Sequence, residues 1–102
     1  MSVNQVQIVG NTGSAIELRH TASGKKVANF NVATSWGSGR DAVTEWHRIV
    51  AWERTAEFCA ERVKKGAKVA IFGRLQTRKY TDDNGTERYT TEIVANAVEV
   101  FS

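Results

Sequence analysis

The sequence contains no proline, a single cysteine and no long apolar segment. One cysteine excludes an internal disulfide and fits a reducing compartment. No apolar stretch approaches the roughly 20 residues of a membrane-spanning helix, and the amino terminus has neither the basic nor the apolar region of a signal peptide. No linker, repeat or low-complexity segment divides the 102 residues. We therefore expect a cytoplasmic protein without a membrane partner, and a single domain over residues 1–102.

Residues that could form a catalytic or metal site are also scarce. His20 and His47 are far apart in the sequence, with no cysteine or carboxylate at metal-ligand spacing. The glycines at 37 and 39 precede no helix and no Lys-Ser/Thr pair, so they do not form a phosphate-binding loop. Cys59 falls on the apolar face of a predicted helix, where a buried and inert thiol is expected. The sequence therefore predicts a protein that is not an enzyme, with no catalytic residue, metal site or cofactor.

Aromatic and basic residues alternate in the strand-like segment Thr44–Trp52. The formal net charge of +3 and the pI near 9.3 permit an anionic partner without requiring one. Because successive side chains of a strand point to opposite faces, Trp46, Arg48 and Trp52 share one face with Val50. His47, Ile49 and Ala51 share the other. Indoles stack on nucleobases and guanidinium groups pair with phosphate, so the first face indicates single-stranded nucleic acid. The alternative is that both tryptophans are core residues and Arg48 reaches the rim.

A second strand, Ala67–Tyr80, has the same character. Alternation places Phe72, Arg74, Gln76, Arg78 and Tyr80 on one face, and Val69, Ile71, Gly73 and Leu75 on a core-facing side. Lys79 adjoins Tyr80 at the mouth of a hairpin predicted at Asp82–Gly85, and Arg88 lies across that turn. The alternative is a solvated hairpin whose charges prevent edge-to-edge association. Because two separate strands carry a basic and aromatic face, we favour a binding surface.

The order of predicted elements indicates an all-β fold with one helix. Strand-like runs cover Val3–Asn11, Ala15–Thr21, Ala28–Val32, Thr44–Trp52, Ala67–Tyr80 and Arg88–Phe101. After Trp52, apolar residues at helical spacing predict a helix, with Thr55 as the expected N-cap and Gly66 at the C′ position. If a long first strand is shared between two sheets, the order fits an OB-fold: a five-stranded Greek-key barrel, one helix between strands 3 and 4, and a long projecting hairpin between strands 4 and 5. An SH3-like barrel or an α+β sandwich would give a similar pattern.

Several short motifs in order resemble the bacterial and phage single-stranded DNA-binding protein family over nearly the whole chain. They are Val9-Gly10-Asn11, Ser23-Gly24, Val27-Ala28-Asn29-Phe30, Ala33-Thr34-Ser35, Thr44-Glu45-Trp46-His47-Arg48, Lys65-Gly66, Gly73, Thr77-Arg78-Lys79, Asp82 with Gly85, and Arg88-Tyr89-Thr90-Thr91-Glu92-Ile93. The resemblance implies an OB-fold, a homotetramer, and sequence-independent wrapping of single-stranded DNA during replication, recombination and repair. Family stacking positions match Trp36, Trp46, Trp52 and Tyr80.

Together, residues and resemblance predict a set of DNA contacts and a subunit interface. The expected DNA contacts are Trp36, Trp46, Arg48, Trp52, Arg74, Arg78, Lys79, Tyr80 and Arg88. Val6 and His47 are expected at the interface between subunits, because their strands offer more apolar surface than a small barrel needs. The alternative function is an OB-fold protein-interaction module of a primosome-type replication-restart complex.

The chain departs from the family pattern at three places. Residues 12–17 lack the Asp-Pro that usually follows the first Gly-Asn turn, and the loop from Trp36 to Val43 is short. The sequence stops at Phe101-Ser102, where family members usually continue through a linker to an acidic tip that recruits other proteins. We expect either a piece of a longer protein or a tail-less member, and protein partners recruited by a tail are not carried over.

Overall fold

A computed structural model describes residues 1–101 as a closed β-barrel with one α-helix. The strands are β1 (Val6–Thr12), β2 (Glu17–His20), β3 (Lys26–Trp36), β4 (Val43–Trp52), β5 (Lys68–Thr81) and β6 (Glu87–Val100), and the helix α1 (Glu53–Arg62) lies between β4 and β5. A single 3₁₀ turn at Gly39–Asp41 connects β3 to β4. Within the described part of the chain, no helix has the length and apolar character needed to cross a membrane.

The strands β1 and β2 are two parts of one long first strand that runs along β3. Thr12 pairs with Val32, and pairing resumes with Glu17 opposite Asn29. Between these two pairs the first strand moves on by five residues, whereas β3 moves on by only three. The connection from β1 to β2 therefore contains two residues more than the facing part of β3. Counted as one interrupted strand, β1 and β2 give the expected five-stranded barrel, with the helix between the third and fourth strands.

The barrel closes because β1 pairs with two neighbours. The sheet order is β1-β5-β6-β4-β3-β2, and the pairing of β1 with β3 joins its ends. One contact, between β4 and β6, is parallel and aligns Ile49 with Ile93 and Val50 with Val94. At a register shift between β5 and β6, a β-carbon on Gly73 would clash with the carbonyl oxygen of Val94. Glycine at this position therefore permits the close approach of the two strands that bends the sheet into a barrel.

The core fills the barrel interior and extends to the inner side of α1. Its largest fully buried side chains are Ile49, Ile71, Val32, Val69 and Cys59. The helix contributes Ala56 and Cys59, both completely buried. Burial of such apolar surface provides the main driving force for folding. The core-facing prediction for Ile49 and Ala51 is confirmed.

The ends of the helix differ from the sequence prediction. Thr55 is not the N-cap, because the helix begins at Glu53 with Trp52 as the extended residue before it. The strand therefore passes directly into the helix without a loop. At the other end Val63 is the C-cap, with its N–H donating to the carbonyl of Cys59, so Gly66 does not occupy C′. Gly66 instead forms a later turn with φ of 80°, and its N–H donates to the Thr12 carbonyl.

The prediction that Leu75 faces the core is wrong, since this side chain is 48% exposed. The last pair between β1 and β5 is Val6 with Gly73, so β5 runs beyond the barrel after this point. Past the rim, the Asn4 side chain binds the backbone of Leu75, with its Nδ2 donating to the carbonyl and its Oδ1 accepting from the N–H, both at 2.9 Å. The long hairpin thus projects into solvent, where alternation no longer separates core from surface.

Candidate nucleic-acid interface

Pairing across four neighbouring strands assembles one continuous outer face on the barrel. In β3 and β4, Asn31 pairs with Arg48 and Val27 with Trp52. The parallel contact carries the face from β4 to β6, and Tyr80 of β5 pairs with Arg88 of β6. We call this surface the outer face; it holds the predicted contacts Trp46, Arg48, Trp52, Arg74, Arg78, Tyr80 and Arg88.

The aromatic rings of the outer face are accessible to a ligand. Trp46 is 60% exposed, Trp52 is 40% exposed and Tyr80 is 42% exposed. This exposure excludes the alternative that both tryptophans are core residues. Val50 lies between Arg48 and Trp52 on the same face of β4. Its side chain is buried, so the surface beneath the exposed groups is apolar at this point. Val50 and Trp52 line the same hollow, and an exposed indole is a suitable surface for stacking a nucleobase.

Two predicted contacts lie away from this face. Trp36 pairs with Val43 and shares the alternation of Thr34, on the opposite side of the β3–β4 hairpin. Its ring is 80% exposed and lines a shallow hollow with Val43 and Glu45. Lys79 also falls on the opposite side of its hairpin, where its Nζ lies 2.9 Å from Oε1 of Glu87. The structure therefore brings together most of the predicted contacts, but not these two.

The predicted interface residues Val6 and His47 are both half-buried. Val6 packs against the core cluster on the inner side of β1. His47 lies on the core-facing side of β4, and its Nε2 is 2.7 Å from Oγ1 of Thr34. The two residues thus belong to the inner side of the sheet, apart from the outer face.

A buried carboxylate that the sequence reasoning missed lies in the middle of the outer face. Glu92 on β6 is 2% exposed, and its two oxygens accept hydrogen bonds from different arginines. Nε of Arg48 lies 2.7 Å from Oε2, and Nε of Arg78 lies 2.9 Å from Oε1. We call these three residues the Arg-Glu-Arg cluster. The register of the β5–β6 hairpin pairs Glu92 with Gln76 on the face of Arg78, and the parallel contact between β4 and β6 brings it beside Arg48.

Two shallow hollows flank the Arg-Glu-Arg cluster on the outer face. The first is lined by Arg48, Arg78, Tyr80 and Thr90, and the second by Val27, Asn29, Val50, Trp52, Gln76, Arg78 and Glu92. Each hollow contains one of the exposed aromatic rings, and Arg78 lines both. A cation between two aromatic platforms is suited to a phosphate between two stacked bases.

An ion pair orders the tip of the β5–β6 hairpin, at the far end of the outer face. Oδ2 of Asp82 accepts from Nε of Arg88 at 2.9 Å, and Oδ1 accepts from the backbone N–H groups of Asn84 and Thr86. The hydrogen bond from Arg88 lowers the pKa of Asp82 below its usual value, and the backbone N–H groups lower it further. Arg88 is therefore held in place beside Tyr80.

The described residues offer little for covalent or metal chemistry. Burial raises the pKa of the Cys59 thiol to about 11, so it is protonated and inaccessible at neutral pH. Among residues 1–101, no three histidine, cysteine or acidic side chains cluster in a way that could hold a metal ion. Rings and guanidinium groups, rather than nucleophiles, are what the outer face presents.

A five-stranded barrel with exposed rings and guanidinium groups on one outer face has the architecture of OB-fold nucleic-acid-binding domains. The chain belongs to the single-strand binding protein family, whose model matches residues 3–101. It is similar to Single-stranded DNA-binding protein 1 of Chlorobaculum tepidum, with 46% identity over 105 residues. That alignment covers 97% of this chain and 65% of the relative, so the chain spans less than two thirds of the relative's length. The family resemblance and the OB-fold expected from the sequence are thus confirmed.

Proposed function

We propose that this chain binds single-stranded DNA without sequence preference and protects it during replication, recombination and repair. The observation that carries this proposal is the outer face, where Trp46, Trp52 and Tyr80 are exposed beside guanidinium groups. Family membership and the printed function of the relative from Chlorobaculum tepidum support the same conclusion.

Two interactions supply the affinity. Arginine side chains neutralise phosphates and release counterions, which gives an affinity that falls as salt rises. Aromatic rings stack on bases, each contributing about 1–3 kcal/mol. Every base has a π-face, so stacking tolerates any sequence. The chain acts by binding alone, without a catalytic step or a cofactor.

Trp36 and Lys79 make secondary contacts in this proposal. They lie on the reverse sides of the two hairpins whose front sides form the outer face. A strand that continues around a hairpin edge would reach them after leaving the outer face. The primary contacts are Trp46, Arg48, Trp52, Arg74, Arg78, Tyr80 and Arg88.

The protein works as a homotetramer in the bacterial cytoplasm, with Val6 and His47 at subunit interfaces. Family membership supports assembly, and Val6 and His47 are only half-buried within one chain, so each leaves apolar or polar surface for a neighbouring subunit. Light scattering at micromolar concentration tests the tetramer directly. The mass of four chains is the expected result, and the mass of one chain would contradict it.

Tryptophan fluorescence tests the proposed function. Trp36, Trp46 and Trp52 are the three tryptophans of the chain, and two of them lie on the outer face. Titration with oligo-dT should quench their emission strongly, because a stacked base contacts the indole directly. A matched titration with duplex DNA should quench much less. Unchanged fluorescence with oligo-dT would favour the alternative of a protein-interaction module.

A further inference from the structure

We propose that Glu92 is a positioning residue of the DNA interface. Its carboxylate holds Arg48 and Arg78 in the orientation that receives a phosphate. This inference rests on the proposed function and adds to it a residue that bears the same charge as DNA. The Arg-Glu-Arg cluster carries the inference through its geometry, its burial and its position between the aromatic rings.

The geometry is that of one acceptor shared by two donors. Glu92 lies on β6, the strand between β5, which bears Arg78, and β4, which bears Arg48. Each carboxylate oxygen accepts from one Nε, at 2.7 and 2.9 Å. Both bonds are charge-assisted and within the distance range of strong N–H···O contacts. The carboxylate therefore fixes both guanidinium groups at once.

Burial shows that this carboxylate does not itself face a ligand. The Glu92 side chain is 3% exposed, whereas those of Arg48 and Arg78 are 48% and 46% exposed. The arginines thus cover the glutamate and form the surface that a strand would meet. A buried carboxylate is costly unless it is paired and hydrogen-bonded, and here both oxygens are satisfied.

The bonding pattern leaves the outer part of each arginine for DNA. Glu92 binds each guanidinium through Nε, the nitrogen nearest the backbone. The two Nη groups remain at the exposed end, where their fork matches the geometry of a phosphate. Without the carboxylate, the two like charges would repel and both long side chains would gain freedom. Holding them in place before binding reduces the entropy lost on binding.

The Glu92→Gln variant separates positioning from charge. If Glu92 only repels DNA, removing its charge should tighten binding to oligo-dT and steepen the salt dependence. If Glu92 positions the arginines, binding should weaken by about ten-fold despite the loss of a negative charge, because the NH2 group of glutamine would replace one of the two acceptor oxygens and face one arginine as a second donor. Affinity is measured by oligo-dT titration at several salt concentrations. Tighter or unchanged binding would overturn the proposal.

Glu99→Gln is the matched control, because Glu99 lies exposed on the same strand and pairs with Ala70, away from the cluster. It changes the net charge equally and should leave affinity nearly unchanged. Wild-type protein titrated in parallel tests the proposed function itself. Failure of wild type to bind would refute single-strand binding, whereas failure of Glu92→Gln to weaken a binding wild type would refute positioning alone.

A second variant decides the matter if Glu92→Gln does not fold. Arg78→Lys keeps the charge and leaves Glu92 paired with Arg48, but an ammonium lacks separate edges for carboxylate and phosphate. The proposal expects weaker oligo-dT binding, by about three- to ten-fold, with an unchanged salt slope. Wild-type affinity in Arg78→Lys would show that only the charge matters and would overturn the proposal.

Discussion

The indole of Trp46 occupies the position that a side chain on Gly13 would need. A β-carbon built on Gly13 would lie 2.6 Å from Cζ3 and 2.8 Å from Cη2 of the ring. Gly13 begins the loop between β1 and β2, so this loop supports one side of Trp46. The ring is still 60% exposed, which leaves surface for a ligand. An aromatic platform held by backbone loses less freedom on binding than one that is free to rotate.

Gly13→Ala should therefore displace Trp46 without unfolding the protein. The added methyl group cannot share space with the ring, and the ring is the more movable of the two. We expect oligo-dT affinity to fall by up to about 1–3 kcal/mol, the value of one stacked base. Fluorescence titration measures this, and Ser14→Ala in the same loop is the control. Wild-type affinity in Gly13→Ala would show that Trp46 does not need this support.

Glu53→Gly and Glu53→Ala test the strand-to-helix junction. Glu53 has φ of 52°, a conformation that glycine adopts without cost, and its Oε1 accepts from the Lys26 N–H at 2.7 Å. Both variants lose this hydrogen bond, but only the alanine variant keeps the backbone strain. Glu53→Gly should thus be more stable than Glu53→Ala by about 1 kcal/mol. Denaturant unfolding gives the two free energies, and an alanine variant of equal or greater stability would contradict the strain.

Arg74→Ala and Lys79→Ala test whether the outer face is the primary contact. Both residues are exposed and carry one positive charge, but Arg74 lies on the outer face and Lys79 on the reverse side. If Arg74 contacts a phosphate, its loss should flatten the salt slope of oligo-dT binding by up to about one unit. Lys79→Ala should change the slope less. Equal effects would mean that both sides of the hairpin meet DNA alike.

Acid should open the hairpin tip at a pH below the ordinary range of aspartate. The pKa of Asp82 is lowered in the folded protein by Arg88 and by the backbone of Thr86, from an ordinary value of 3.8. The ionised carboxylate of Asp82 therefore contributes its full stabilisation above pH 3.8. This stabilisation is lost as the pH falls through the lower pKa that Asp82 has in the folded protein. The amide resonances of Asn84 and Thr86, which donate to Asp82, should report this titration. A midpoint at or above 3.8 would contradict it, and Asp82→Asn should remove the titration altogether.

The register of the long hairpin shows where sequence reasoning was insufficient. The sequence predicts a tight hairpin at Asp82–Gly85 without fixing its register, and a two-residue loop at Asn84-Gly85, the form typical of Asn-Gly, would place Glu92 opposite Thr77 on the reverse side. The structure has a three-residue loop, because the Asp82 N–H donates to the Thr86 carbonyl and Gly85 has φ of 78°. That difference of one residue places Glu92 opposite Gln76, on the outer face. Alternation was therefore sufficient to predict the face on which the arginines lie. It could not predict that Glu92 lies on the same face and binds both of them.

Trp36 illustrates a different limit. Alternation from the core residues Phe30 and Val32 places Trp36 on the core-facing side of β3, beyond the barrel. The resemblance alone assigned it to the DNA contacts. By contrast, alternation within β4 correctly placed Trp46 and Trp52 together, because this strand pairs along its whole length without a register shift. Alternation along a strand therefore predicts the face on which a side chain lies where strand pairing is regular. Elsewhere the length and geometry of the loops determine that face.

Trp52→Ala tests whether Trp52 is a stacking platform for bases or a structural residue. Trp52 is 40% exposed, and Phe58 on α1 offers a matched control at 37% exposure away from the outer face. Trp52→Ala should lower oligo-dT affinity by about 1–3 kcal/mol. Its melting temperature should fall no more than that of Phe58→Ala, which should bind like wild type.

Parallel oligo-dT titration and thermal melting of Trp52→Ala is thus the most direct measurement. We expect weakened binding with a melting temperature close to that of Phe58→Ala. If Trp52 were structural, its removal would cost roughly 3–5 kcal/mol of stability, enough to unfold a small domain. A collapsed melting temperature, or wild-type affinity in a folded Trp52→Ala, would contradict the account.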